Sequence, residues 1–285
     1  VRMSNKRKAQ DLLPKDDKKR ARVKKHRDIY QYGNYRNYYN KYRNWGERDN
    51  RFDLLNPEWL VNRRALDIGC NDGTVTFALV QHFDLESILG IDIDKELVNY
   101  AKKKLDVKIS KFKQWNVERP RSSDGYAYPI SALEKKEIMI DFEGLISFKA
   151  TNVLDLNKDL TFGIIFAFSV LKWVHLNFGD DGVLKFFDKV YNSLEPGGYF
   201  ILEPQNWKSY RNKSKLTPKI KEVYKTIKIK PDQFTEILLE KGFKLVDTMT
   251  PSHTTKGFQR PIYCFQKPNG KEENDENEDD KMETS

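Results

Sequence analysis

Leu66-Asp67-Ile68-Gly69-Cys70-Asn71-Asp72-Gly73 writes a strand end, a glycine turn and a helix start in eight residues. The short strand Arg64–Ile68 leads into it, and a helix pattern over Thr74–Phe83 leads out. In a doubly wound sheet the ligand sits at the carboxyl ends of the strands, above such a turn. Gly69 and Gly73 let backbone and ligand come close. Two nucleotide loops fail on the letters. A G-x-G-x-x-G loop counted from Gly69 needs glycine where Asn71 and Thr74 stand, and G-x-x-x-x-G-K-[ST] occurs nowhere in the chain.

Outward from the turn, strands and helices alternate. Ser87–Ile91 reads as a strand and Lys95–Leu105 as a helix. Residues 106–145 break the rhythm, with Pro120, Ser122, Ser123, Asp124 and Gly125, and read as a polar insertion with a mobile stretch. Ile146–Lys149 resumes as a strand. Phe162–Phe168 is almost continuously apolar, as a central strand covered on both faces should be. A helix follows over about Asp180–Leu194, with Val183, Leu184, Phe187, Val190, Tyr191 and Leu194 at helical spacing. Glu195-Pro196-Gly197-Gly198 stops it and Tyr199–Leu202 is the next strand. Pro231–Lys241 is a helix closed by Gly242, and Lys244–Thr250 pairs with Ile262–Gln266. Alternation over some 200 residues predicts an open, doubly wound α/β sheet.

Charge divides the chain into three parts. Its formal net charge is +9 over 285 residues. Residues 1–27 carry 12 Lys/Arg against 3 Asp, whereas 271–285 carry 8 Asp/Glu against 2 Lys, which leaves +6 for the middle. We therefore expect a disordered basic arm (1–27), one folded domain (28–268) and a disordered acidic tail (269–285). A basic core with a more basic arm suits a polyanion such as nucleic acid. Lys6-Arg7-Lys8 and the run Lys18 to Lys25 resemble a bipartite nuclear import signal, so the expected location is the nucleus; a nucleic-acid arm or a solvated tail is the alternative. Cys70, Cys264 and the four scattered histidines have no metal-ligand spacing, so no metal site is expected. No stretch approaches 18 apolar residues and the first residues do not read as a signal peptide, so no membrane partner is expected.

Ahead of the first strand lies Tyr30, Tyr32, Tyr35, Tyr38, Tyr39, Tyr42 and Trp45, interleaved with Arg36, Lys41, Arg43 and amides. Aromatic planes beside cations serve nucleobases, phosphates and sulfonium groups alike. A tyrosine-rich helix packed on a core has the same composition.

Asp67-x-Gly69-x-x-x-Gly73 resembles the first motif of Rossmann-like class I S-adenosylmethionine-dependent methyltransferases, with Asn71 in place of a usual middle glycine. That resemblance implies a mostly parallel seven-stranded sheet with helices on both faces. Asp92, 23 residues after Gly69, is placed to accept both ribose hydroxyls; Asp94 is the better cap for the following helix. Two further segments, Ser169 to Asp180 and Leu202 to Tyr210, join Tyr32-Gly33-Asn34-Tyr35 and Lys256 to Pro261 in resembling the Bicoid-interacting-protein-3 family over roughly residues 30–267.

The resemblance implies methyl transfer from S-adenosyl-L-methionine to the γ-phosphate of an RNA 5′-triphosphate. By position it assigns Tyr39, Arg51, Gly69, Cys70, Asn71, Asp92, Ile93, Asn152, Val153 and Phe168 to the cofactor. Lys172, Arg43 and Arg260 are the cations expected around the triphosphate, with Tyr38 directing one oxygen. Taken alone, Lys172 reads as a solvated loop lysine, Trp173 as core packing and His175 as a structural loop histidine. Asn206 stands where the family usually has proline, and Phe168 where it commonly has leucine. The implied substrates are small non-coding RNAs: 7SK-like, spliceosomal or telomerase-type. La-related RNA-binding proteins stay open as partners. A 5′-monophosphate RNA methyltransferase and a non-catalytic RNA-binding or assembly protein of the same fold are the competing readings.

Overall fold

Every residue of Phe162–Phe168 is buried because this strand, β4, lies mid-sheet with helices against both faces. The structure is a computed structural model that describes residues 30–36, 49–118, 140–157, 159–251 and 259–270. The arm 1–27, Tyr38, Tyr39, Arg43 and most of the acidic tail lie outside the described residues.

The other strands are β1 (Arg64–Ile68), β2 (Ser87–Asp92), β3 (Ile146–Ala150), β5 (Leu194–Glu203), β6 (Lys244–Met249) and β7 (Ile262–Gln266). Among the described residues they form a seven-stranded sheet in the order β3-β2-β1-β4-β5-β7-β6. The pairs from β3 through β5 are parallel, and β7 runs antiparallel to both β5 and β6. Strand order reverses between β1 and β4, and a crevice opens above their carboxyl ends, where Gly69 begins.

The helices are α1 (Thr74–His82), α2 (Lys95–Glu118), α3 (Leu171–Ser193), α4 (Trp207–Arg211), α5 (Pro218–Thr226) and α6 (Phe234–Glu240). On one sheet face Ile164 and Phe166 pack with Leu79, Val98, Ala101 and Phe148. On the other Ile165 and Ala167 pack with Phe186, Phe187, Val190 and Leu238. This alternation along β4 is the two-residue period of a strand, visible only once both faces are known to be dry.

Three expectations need correction. The helix expected to end at Leu105 runs on to Glu118, so the first part of the supposed insertion is helical. Val98, Ala101, Leu105 and Ile109 continue its core-facing stripe, hidden in the sequence by the lysines of the solvent face. At the insertion's far end, Phe142 is buried edge-on against Phe77. Second, the segment after β4 is no loop: α3 starts at Leu171 and is interrupted at Gly179 (φ 68°, ψ −165°). Its first two turns are buried almost all round, so they carry no amphipathic period to read. Third, Pro231–Lys241 splits into a 3-10 turn, Pro231–Gln233, and α6. The helices α4 and α5 were missed, although Thr217 caps α5 by accepting from Ile220 N at 3.1 Å and Pro218 opens it.

Candidate functional site

The glycine loop is shaped by three residues with positive φ: Gly69 (79°), Asn71 (53°) and Gly73 (78°). Gly69 N and Cys70 N both donate to Ile91 O, at 2.8 and 3.0 Å, drawing the loop onto the end of β2. A Cβ at Gly69 would lie 2.7 Å from Val170. Asparagine is among the few side chains that tolerate the left-handed region, which accounts for Asn71 in place of the usual glycine. Its amide also serves the loop: Oδ1 accepts from Asp72 N at 2.9 Å and Nδ2 donates to Tyr35 O at 3.2 Å.

Asp92 closes the loop from β2. Its carboxylate accepts from Asn71 N at 3.0 Å and from Asp94 N at 2.9 Å. Burial raises its pKa to about 6 against the hydrogen bonds it receives. Asp94 caps α2 through Glu96 N and Leu97 N. Asp67 sits behind the loop, accepts from Thr76 Oγ1 at 2.6 Å, and is likewise lifted to about 6 by burial.

Two adjoining cavities open over this loop, of about 250 and about 50 Å³. They share Tyr32, Gly69, Asp92, Val170 and Trp173 as walls. Ile93, Asn152 and Val153 line the smaller one with Ile68, Ile91 and Phe178, an apolar slot beside a carboxylate. Asn71, Phe168, Lys172 and Arg260 line the larger one. Nine of the residues singled out from sequence thus meet in one cleft. Two do not reach it. The Cys70 side chain is buried and lines neither cavity; burial and the carboxylates around it push its thiol far up, so it is inert there. Arg51 lines neither as well: its guanidinium is buried between Asp49 and Glu203, 2.8 Å from the latter, and stacks 4.2 Å over the Phe168 ring.

The larger cavity is cationic. Lys172 Nζ donates to Ser209 Oγ at 2.8 Å and lies 4.7 Å from the Trp173 ring centre. Lys172 is only 6% exposed, and no carboxylate pairs with it among the described residues. Burial first, then nearby Arg260 and Lys213, lower its pKa to about 7. Arg260 donates to Ser169 Oγ at 2.8 Å and approaches Glu203 at 3.8 Å. Glu203 is therefore shared between Arg51 and Arg260, and Asp49 also holds Arg51. Among the described residues lining the cleft, Lys172 and Lys213 have no carboxylate partner, while Asp92 is a carboxylate in the same lining.

Two buried oxygens, Gln205 Oε1 and Asn34 Oδ1, have no hydrogen-bond partner among the described residues, and both residues line this cavity. Unpaired acceptors there fit a ligand that brings N–H or O–H donors. Gln205, Lys213, Ser209 and Tyr32 were not assigned to the site from sequence. Gln205 and Ser209 lie inside the Leu202 to Tyr210 segment, but Lys213 has no signal beyond a lysine-rich neighbourhood. His175 is a structural bolt: its Nε2 meets Asp180 Oδ1 at 2.8 Å, and Asp180 accepts from Lys228 N. Burial holds its pKa below the ordinary histidine value.

Known proteins match this chain over most of its length. The profile described as Bicoid-interacting protein 3 (Bin3) matches residues 162–267, and a methyltransferase-domain profile matches 66–200. A protein of Arabidopsis thaliana named "probable RNA methyltransferase" is 36% identical over 86% of this chain and 83% of its own length. The U6 snRNA methylphosphate capping enzyme Amus of Drosophila melanogaster is 35% identical over 84% of this chain and 75% of its own. The 7SK snRNA methylphosphate capping enzyme of Mus musculus is 33% identical over 86% of this chain, which spans 42% of that longer protein. Among solved structures, a Burkholderia thailandensis 1,6-didemethyltoxoflavin-N1-methyltransferase superposes with a TM-score of 0.52, at 12% identity over 90% of this chain and 92% of its own, a likeness of fold.

Proposed function

The chain belongs to the Bicoid-interacting protein 3 family, and from that premise we propose that it is an S-adenosylmethionine-dependent RNA methyltransferase acting on the 5′-terminal γ-phosphate of a small non-coding RNA. The observation that carries the substrate is Lys172, a buried ammonium with no carboxylate partner among the described residues. A buried charge is tolerated when something pairs with it, and here the missing partner is an anion.

S-adenosylmethionine supplies an electrophilic methyl on a sulfonium. Asp92, the Ile93–Val153 slot and the open acceptors Gln205 Oε1 and Asn34 Oδ1 suit a ligand with a diol, a flat apolar face and an ammonium. Lys172, Lys213 and Arg260 gather phosphate oxygens on the side away from that slot. A terminal phosphate has a second pKa of roughly 6, so at neutral pH its oxygen is already a nucleophile and no general base is required. What remains for the protein is to align the oxygen with the methyl and balance the charge. The roles proposed for Tyr38, Tyr39 and Arg43 rest on the family pattern alone, as do La-related partners. The nuclear setting rests on the lysine–arginine runs of the arm and on the small nuclear RNAs in the relatives' names.

Lys172 and Lys213, with no carboxylate partner among the described residues, together with the Glu203-linked Arg260, favour a terminus with several charges. Methylation of one RNA oligonucleotide carrying a 5′-triphosphate or a 5′-monophosphate tests this. We expect the triphosphate to be preferred at least about tenfold, the worth of one charged contact. A preference for monophosphate would overturn the substrate.

Lys172 also predicts a pH dependence. Its pKa of about 7 means that the free site loses its charge as pH rises above 7, so binding an anion there requires proton uptake. The KM for RNA should rise with pH, approaching tenfold per unit above about 7, since one proton is linked to binding. Arginine stays charged throughout this range. In Lys172→Arg the slope should vanish, and an unchanged slope would show that another group is responsible.

A further inference from the structure

Residues 30–36 bridge the cleft from one side to the other, and none of the seven is itself buried. On the α3 side Gln31 and Asn177 exchange hydrogen bonds. Gln31 Nε2 donates to Asn177 Oδ1 at 3.1 Å, and Asn177 Nδ2 donates to Gln31 O at 3.0 Å. Asn177 is fully inside the protein, and its Nδ2 also donates to Trp173 O at 2.9 Å, so α3 itself fixes the direction of this amide. Gly33 lies flat against the Trp173 indole: its φ is +74°, and a Cβ there would stand 2.1 Å from Nε1. On the opposite side Asn34 Nδ2 donates to Asp94 Oδ2 at 2.5 Å, Arg36 pairs with Glu96, and Tyr35 O accepts from Asn71 Nδ2. Between the two anchorages Tyr32 lines both cavities.

We propose that Gln31 and Asn177 are positioning residues: their reciprocal amide pair, with Gly33 seated on Trp173, fastens residues 30–36 as the outer wall of the cofactor site. The inference rests on the methyltransferase reading and adds to it the residues that retain the cofactor. A surface segment held by a few hydrogen bonds opens at low cost, so its anchors govern how firmly it covers what lies beneath. The phosphate-binding cations hang from α3 and from the chain beyond it, not from this strap. Weakening the strap therefore affects cofactor retention and leaves the transfer step intact once the cofactor is bound.

Gln31→Ala removes the donor to the buried Asn177 Oδ1 but keeps Gln31 O as the acceptor of Asn177 Nδ2. We expect the Kd for S-adenosylhomocysteine by calorimetry and the KM for S-adenosylmethionine to rise by roughly tenfold, the worth of one such bond. The kcat at saturating cofactor should stay within about twofold, and the melting temperature of the ligand-free protein should fall by no more than about 2–4 °C, the effect of about 1 kcal/mol. Gly33→Ala, which drives the strap off the indole, should give the same pattern with a larger rise. Unchanged Kd in both variants overturns the inference. So does a fall in kcat at saturating cofactor with Kd unchanged, which would assign the strap to the phosphate end. A wild-type protein that binds no S-adenosylhomocysteine overturns the methyltransferase reading and this inference together.

Discussion

Lys172→Ala is expected to lower kcat/KM on a 5′-triphosphate RNA by about 10²–10³-fold, the usual loss when one preorganised charge donor is removed from a reacting centre. Binding of S-adenosylhomocysteine should stay within about twofold of wild type, because the side chain points to Ser209 and Trp173 rather than into the Ile93–Val153 slot. Stability supplies a second, opposite readout. A lysine that holds the fold together loses stability on truncation. Lys172 instead has its pKa pushed down to about 7, so in the folded protein its charged form is disfavoured by burial and by Arg260 and Lys213. With the folded pKa depressed, the penalty is absent at pH above the ordinary lysine value and grows as pH falls toward 7. At pH 7 the alanine variant should therefore melt no lower than wild type, apart from the packing of the aliphatic stem. Activity down with melting temperature held is the pattern of an anion-binding residue. Turnover near wild type in single-turnover assays would remove Lys172 from the mechanism.

The parts of this fold that could be read in the letters are those where one physical requirement acts on neighbouring residues. β4 is apolar because two layers cover it, and Gly69, Asn71 and Gly73 are spaced by a backbone that needs positive φ. The start of α2 follows from a single cap, Asp94, whereas the equivalent cap at Thr217 was passed over and α5 with it. What could not be read depends on distant chain segments meeting. The first half of α3 is buried on all sides by α4, α5 and residues 30–35, so no polar face marks it as a helix. Lys172 looked like a loop lysine for the same reason. Arg51 fits the family's cofactor pattern, yet Asp49, Glu203 and the Phe168 ring take its guanidinium, which places it behind the wall of the cavity that Phe168 lines. Gln205 shows its character only when its Nε2 is found on Ser169 O at 2.5 Å and its oxygen on nothing described.

Asp92→Ala should weaken S-adenosylhomocysteine binding by at least about 100-fold, since two hydrogen bonds to a charged acceptor are each worth roughly 1.5–3 kcal/mol. Turnover at cofactor concentrations that saturate wild type should fall correspondingly. Part of the loss is direct and part runs through the glycine loop, whose Asn71 N would lose its acceptor. Asp92→Asn separates the two. Its amide oxygen can keep the Asn71 N donor and hold the loop, but its NH₂ then faces Asp94 N and a ligand hydroxyl with a donor where an acceptor is needed, so affinity should still fall by roughly tenfold or more. The same variant tests why the carboxylate is there at all. Burial lifts the folded pKa from 3.8 to about 6, so the folded protein takes up this proton before the unfolded chain does. The contribution to stability is then fully present below about pH 4 and is lost as pH rises through about 6. At pH 7.5 the ionised Asp92 burdens the ligand-free fold, and Asp92→Asn should melt at or above wild type. At pH 5 that advantage should shrink to about half, and below about pH 4, where Asp92 is protonated in the folded and the unfolded chain alike, it should disappear. A residue that costs stability in the empty protein and is indispensable for the adenosyl ligand is maintained by binding. If Asp92→Asn instead melts lower than wild type at pH 7.5 and binds S-adenosylhomocysteine as tightly, Asp92 is a loop strut, and the protein is better read as an RNA-binding scaffold with a methyltransferase fold.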